Sequence, residues 1–158
     1  MTGLSEIGYE RRGPAAWITL NRPAKRNALT PTMLAEAHRA LDLAQADRDV
    51  RVLVLTGAPP AFCAGADLDF FRAMLDEPDG CDRFLAAVIQ PLVQLMARMR
   101  ASDRPVIAAV NGACAAGGLA PTANQGETDE NPSLPVPRMD TGTPQVPYPP
   151  VGQGAGWS

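Results

Sequence analysis

The chain predicts an α/β fold with largely parallel strands. Three observations carry this. Short β-branched runs alternate with longer segments whose apolar residues recur at helical spacing. The run Val50 to Leu55 is apolar at nearly every position, as expected of a strand covered on both faces. Proline and glycine pairs punctuate the boundaries. The order reads β-β-α-β-α-α-β and ends in a glycine-rich turn, a pattern that builds helices onto a sheet.

Ile7 to Arg11 and Ala15 to Leu20 are extended runs joined by Gly13-Pro14, which reads as the turn of a hairpin. Pro23 closes the second run, since proline cannot extend a ladder. Thr30-Pro31 starts a helix with a capping hydroxyl followed by a proline whose missing N–H costs nothing there. Leu34, Ala37, Leu41 and Ala44 form its apolar face, and it should end near Ala46 or Asp47. Ala58 to Ala66 reads as a loop of small residues, and Asp67 as the cap of a helix through Leu75. Pro78-Asp79-Gly80 breaks that helix. Phe84, Val88, Leu92, Leu95 and Met99 stripe the next one, which Pro91 should kink or divide. Val106 to Val110 is the last strand, closed by Asn111-Gly112.

Composition divides the chain into residues 1–118, rich in aliphatic side chains, and residues 119–158, which hold eight of the sixteen prolines. Only the first part can bury a core. The second is expected to be a disordered tail, because it has too little apolar surface to offset the entropy of ordering it. A net charge of −3 argues against nucleic acid as a partner. Cys63, Cys81 and Cys114 match no zinc or CxxC spacing, and their odd count suggests reduced thiols. No basic-then-apolar leader opens the sequence and no apolar run approaches a membrane span, so the expected location is cytoplasmic, with no membrane partner. His38, the single histidine, falls within a helix and suggests no catalytic role, and Cys63 reads as a small packing residue. The glycines at 112, 117 and 118 fit neither a dinucleotide fingerprint nor a phosphate loop.

Three segments, in order, carry a family resemblance. Asn21-Arg22-Pro23-Ala24-Lys25-Arg26-Asn27-Ala28-Leu29 resembles the NRPxxxNAL box of the enoyl-CoA hydratase/isomerase (crotonase) family. Ala61-Phe62-Cys63-Ala64-Gly65-Ala66-Asp67-Leu68 is similar to that family's F-x-A-G-x-D-L oxyanion loop. Pro105 to Gly118 resembles the strand and glycine turn that supply the second oxyanion donor. The resemblance implies a crotonase-like (ClpP/crotonase) spiral of ββα units, here truncated. It implies an acyl-CoA substrate, with coenzyme A as part of that substrate and no separate cofactor or metal. The chemistry is a thioester enolate whose oxygen faces two backbone N–H groups, each worth roughly 3 kcal/mol in a transition state. By motif position these belong to Ala64 and Gly117, the latter at a helix N-terminus that favours an anion. Lys25 or Arg26 would meet coenzyme A phosphates. Ala28, Ala64, Ala66, Asp67 and Leu68 would line the adenine and pantetheine pocket.

The sequence also departs from the family. Hydratases place a first glutamate three residues beyond the second donor, where this chain has Ala120, and a second roughly twenty residues on. Glu127 and Glu130 lie in the tail without family-like surroundings, so neither inherits a role. Beyond Gly118 the family continues through the helices that build its trimers and hexamers, whereas Leu119-Ala120-Pro121 opens the proline-rich stretch here. Enolate chemistry is therefore expected to be impaired. The alternatives are a non-catalytic acyl-CoA-binding or subunit-interaction protein, or a non-functional product of a changed reading frame.

Overall fold

The computed structural model describes residues 3–115. The chain divides into the units Met1–Glu127 and Thr128–Ser158, and every described residue lies in the first. Gly117, Ala120, Glu127, Glu130 and the expected tail lie outside the described residues.

Strands β1 (Ile7–Arg12) and β2 (Ala15–Leu20) form the expected antiparallel hairpin. Strand β3 (Val52–Gly57) pairs parallel with β2, and β5 (Val106–Ala109) pairs parallel with β3, giving a sheet ordered β1-β2-β3-β5. The third strand starts two residues later than Val50 suggests. The Val50 N–H turns back to the Asp47 carbonyl, and the Arg51 N–H donates to the Pro14 carbonyl. A second, two-stranded sheet joins β4 (Ala61–Cys63) to β6 (Ala113–Cys114), also parallel.

Helix α1 (Pro31–Ala46) begins as the sequence indicates, with the Thr30 hydroxyl accepting from the Met33 N–H. On its buried face Met33, Leu34, Ala37, Leu41 and Ala44 join Ile18, Leu53 and Leu55 of the sheet in one hydrophobic cluster. Each fully buried leucine there contributes about 1.5–3 kcal/mol. Its C-terminal carbonyls are closed by one side chain, the Arg104 guanidinium, which donates to the carbonyls of Ala44, Gln45 and Asp47. Arg104 also lines an open hollow of about 400 Å³ with Arg48, Arg51 and Asp103, at the amino ends of the parallel strands.

After α2 (Leu68–Leu75) and α3 (Gly80–Phe84), the chain takes a π-helical turn over Leu85–Ile89 before α4 (Gln90–Arg100). Pro91 explains it. Proline lacks an N–H for the ordinary ladder, so the preceding turn widens and the Gln90 N–H reaches back to Leu85. His38 tethers this junction to α1. Its Nε2 lies 3.0 Å from the Pro91 carbonyl, and its Nδ1 lies 3.0 Å from Nη1 of Arg98. A carbonyl can only accept and a guanidinium can only donate, so the ring carries its proton on Nε2. No helix among the described residues is long and apolar enough to cross a membrane.

Glu36 is the polar group on which α1 and β1 meet. Its carboxylate is 6% exposed and accepts from the N–H groups of Ser5, Glu6 and Ile7 and from the Ser5 hydroxyl. Burial pushes this carboxyl up, but those donors outweigh it and hold it below its ordinary value of 4.5. A lowered folded-state value means stability that is present above the unfolded value and lost as pH falls through the folded one. Glu36→Gln should lower stability at pH 7 by about 2 kcal/mol, since charged hydrogen bonds become neutral. It should also remove this component of the acid-induced loss below pH 4.5. Urea unfolding of both proteins across that range measures both effects.

Candidate active site

Three connections leave the carboxyl ends of three neighbouring parallel strands. Residues 21–30 follow β2, residues 58–67 follow β3, and residues 110–115 follow β5. Crevices at that end of a parallel sheet are where ligands reach backbone groups.

Asn27 fastens the first connection to the second. It is fully buried, with a left-handed φ of 56°, a conformation asparagine tolerates better than most side chains. Its Oδ1 accepts from the Arg22 N–H at 2.9 Å, and its Nδ2 donates to the carbonyls of Ala58 at 2.8 Å and Ala61 at 2.7 Å. The fit explains Gly57. A Cβ there would stand 2.8 Å from the Asn27 Nδ2 and 2.5 Å from the Ala61 carbonyl oxygen.

Arg22 then reaches across to the far end of the second connection. Its Nη1 donates to the Ala28 carbonyl at 2.7 Å and to Asp67 at 2.9 Å, while its Nε pairs with Glu6 at 3.2 Å. The other Asp67 oxygen caps α2 by accepting from the N–H groups of Asp69 and Phe70. Burial pushes the Asp67 carboxyl up, but Arg22 and the amides of Phe70 and Asp69 outweigh it, so it stays below the ordinary aspartate range. A carboxylate thus already occupies the N-terminus of α2. Glu6, which bridges Arg22 and the Thr30 hydroxyl, carries no motif that reveals it in the sequence. Asn111, within the third motif, reads in the sequence only as part of a turn; its amide exchanges hydrogen bonds with both backbone groups of Gly57.

The loop from Ala64 to Asp67 lies against the 22–29 segment through a parallel bridge between Leu29 and Ala66. The Ala64 N–H, read from the motif as the first oxyanion donor, donates to the Arg26 carbonyl at 3.0 Å and is already committed. The Gly65 N–H points to Sγ of Cys63 at 3.4 Å, and the Asp67 N–H donates to the Leu29 carbonyl at 3.0 Å. Among the described residues, the Ala66 N–H is the one amide of this loop that makes no hydrogen bond. Gly65 sets this arrangement with a φ of 91°, a value that side chains other than glycine's rarely reach. The second expected donor, on Gly117, lies outside the described residues. The chain approaches it along β6, where the Ala115 N–H donates to the Cys63 carbonyl at 3.0 Å.

The residues expected to meet coenzyme A are distributed unevenly. Ala28 and Asp67 are buried, Ala66 is half-buried, and Ala64 and Leu68 are exposed. Lys25 is exposed and already paired with Asp69 at 2.8 Å, which raises its affinity for its proton. Arg26 contributes its carbonyl to the Ala64 amide, and its side chain is exposed. Among the described residues no cluster of three or more histidine, cysteine or acidic side chains is placed to hold a metal.

A model of the enoyl-CoA hydratase/isomerase family matches residues 10–143, past Leu119, where the sequence motifs themselves give out. The chain is similar to the enoyl-CoA hydratase EchA19 of Mycobacterium tuberculosis, with 41% identity over 110 residues, covering 69% of this chain and 40% of that protein. It is similar to the 2,3-dehydroadipyl-CoA hydratase of Escherichia coli, at 38% identity with the same coverage of each chain. Its fold is similar to the crystal structure of a putative enoyl-CoA hydratase/isomerase (crotonase) from Legionella pneumophila. That match has a TM-score of 0.66 and 35% identity, and covers 73% of this chain and 44% of the other. The chain therefore spans about two fifths of the length of these curated relatives.

Removing the Asn27 side chain tests whether the site is built on it. Asn27→Ala leaves two carbonyls and one N–H without partners and should cost about 3 kcal/mol or more in urea unfolding, with an unchanged m value. Asn27→Asp should not rescue it, because a carboxylate keeps the Arg22 contact but faces two carbonyls it cannot donate to.

Proposed function

Since the chain belongs to the enoyl-CoA hydratase/isomerase family, we propose that it receives an acyl-CoA thioester at the carboxyl ends of β2, β3 and β5 and draws the thioester carbonyl toward an enolate. The observation that carries this reading is the Ala66 amide. In a loop whose other N–H groups are tied to Arg26, Cys63 and Leu29, it alone is left for a ligand among the described residues. A donor fixed in advance costs no reorganisation when charge develops on the oxygen it faces. The first donor is thus Ala66 rather than Ala64, with Gly117 retained as the second.

Coenzyme A lies along the 25–28 and 64–68 segments in this proposal. Ala28, Ala64, Asp67 and Leu68 border its adenine and pantetheine, and Lys25 or Arg26 approaches its phosphates. Lys25 would share its charge between a phosphate and Asp69, so it contributes less than an unpaired lysine. Hydration itself is impaired, because Ala120 stands where the family resemblance places the first glutamate, and alanine can neither take nor give a proton. The protein then binds and polarises acyl-CoA without adding water efficiently.

Two ligands differing only at the carbonyl test this. Butyryl-CoA should bind saturably in calorimetric titration. S-butyl-CoA, a thioether with no carbonyl oxygen, should bind about fivefold more weakly, the worth of one net hydrogen bond of about 1 kcal/mol. Equal affinities would remove the polarising role, and no saturable binding of either would remove the acyl-CoA reading. With crotonyl-CoA, the enoyl absorbance should persist. Hydration at an enzyme's usual turnover would overturn the impairment.

A further inference from the structure

The geometry points to Cys63 and Cys114 as a dithiol that a disulfide oxidant, such as oxidised glutathione, converts to an intrachain disulfide stapling β4 to β6 beneath the 64–66 loop. The formation of this bond rests on strand geometry alone. Only its effect on ligand binding rests on the acyl-CoA reading.

Three observations support it. First, Cys63 and Cys114 are register partners on adjacent parallel strands, just past a register shift between Ala61 and Cys63. Neighbouring strands lie about 4.8 Å apart, inside the window of about 4.4–6.8 Å between Cα atoms that a disulfide spans. Second, both cysteines border one hydrophobic cluster. Ala113 is exposed, whereas Cys114 packs against the hydrophobic cluster that contains Cys63. Third, the two sulfurs sense each other. Burial first, and then the proximity of Cys63, push the Cys114 thiol up to about 11. Cys63 is also raised by burial, partly offset by the Gly65 N–H at its sulfur. Neither cysteine touches the substrate in the proposed acyl-CoA chemistry.

The order of events follows from access. Cys114 is half-buried and meets the oxidant first, while Cys63 is 1% exposed and is reached only from within the protein. The Cys114 thiolate attacks one sulfur of oxidised glutathione, forming a mixed disulfide and releasing one glutathione thiolate. Cys63 gives up its proton and attacks the Cys114 sulfur, releasing the second glutathione. Two cysteine thiols lose two electrons, and one glutathione disulfide gains them and the two protons to become two glutathione molecules. Bonding the Cys63 sulfur to Cys114 weakens it as an acceptor for the Gly65 N–H. That contact helps aim the Gly65–Ala66 turn, so the staple bears directly on the proposed donor.

The test is oxidation of the full chain with glutathione disulfide, followed by alkylation, proteolysis and mass spectrometry. The expected product is a Cys63–Cys114 linked peptide, with exposed Cys81 carrying glutathione instead. Its rate should rise about tenfold per pH unit from pH 7 to 10, because the thiolate of Cys114 is scarce below its raised value. The link should form equally in Cys81→Ser, and in urea its preference over the other two pairings should vanish. The idea is overturned if Cys63 and Cys114 both stay free at pH 9 after Cys81 has reacted completely. It is overturned equally if Cys114 pairs with Cys81, or if the same pair dominates in urea. Butyryl-CoA titration of the stapled protein is a separate reading, so an unchanged affinity would count against the loop coupling while leaving the bond itself established.

Discussion

The carboxyl end of the sheet depends on one buried amide side chain. Where β3 ends and the chain turns toward β4, the carbonyls of Ala58 and Ala61 point into the protein without a strand to receive them. A buried carbonyl without a donor costs about 1–3 kcal/mol. Asn27 supplies both donors and takes the Arg22 N–H in return. Everything downstream inherits that geometry. With the 22–29 turn fixed, the Arg22 side chain is aimed at Asp67, Asp67 is held to cap α2, and the Arg26 and Leu29 carbonyls face the 64–67 loop. The loop's amides are then taken up in a set order, and Ala66 is passed over.

A second clamp holds the same turn from its other side. Glu36 collects the N–H groups that open β1, and this places Glu6 where it pairs with Arg22 and with the Thr30 hydroxyl at the head of α1. Arg22 therefore sits between two carboxylates, Glu6 and Asp67, each also bound to neutral donors. Removing any one charge would leave the others partly buried and under-paired, which is why such a group behaves as a unit. The network ties the first hairpin, the first helix and the candidate site together, beside the hydrophobic cluster that all three share.

Much of this was legible in the sequence, and the failures have physical causes. The hairpin, the Thr30-Pro31 helix start, the Asp67 cap and the strand that begins at Val106 all arise from local rules of pattern and capping, and they appear where those rules place them. Strands β4 and β6 did not, because runs of three and two residues carry no periodicity. Pro91 announced a disturbance but not its form. The π turn is one of several ways to absorb a missing N–H, and the turn that forms buries Val88 in the core. The candidate site shows the same division. Motif spacing located the 61–68 loop, yet which of its amides is free depends on carbonyls nearly forty residues earlier in the chain. No pattern within the loop distinguishes Ala64 from Ala66. Both are alanines on either side of a glycine, and only the left-handed turn at Gly65 and the partner at Arg26 separate them.

An N–H left without a partner is a cost that a folded protein ordinarily avoids. Ala66 is half-buried, and its amide has no protein acceptor among the described residues. The surrounding loop shows that satisfaction was geometrically available. Its neighbours on both sides, Ala64, Gly65 and Asp67, reach a carbonyl, a sulfur and another carbonyl within four consecutive residues. A turn that satisfied Ala66 instead would have to rotate Gly65 out of its left-handed conformation and break the Leu29 bridge. The free donor is therefore held in place by the contacts that fix its neighbours. Rigidity of that kind separates a preorganised site from a frayed loop, because a donor that can swing toward an internal acceptor loses its advantage before any ligand arrives.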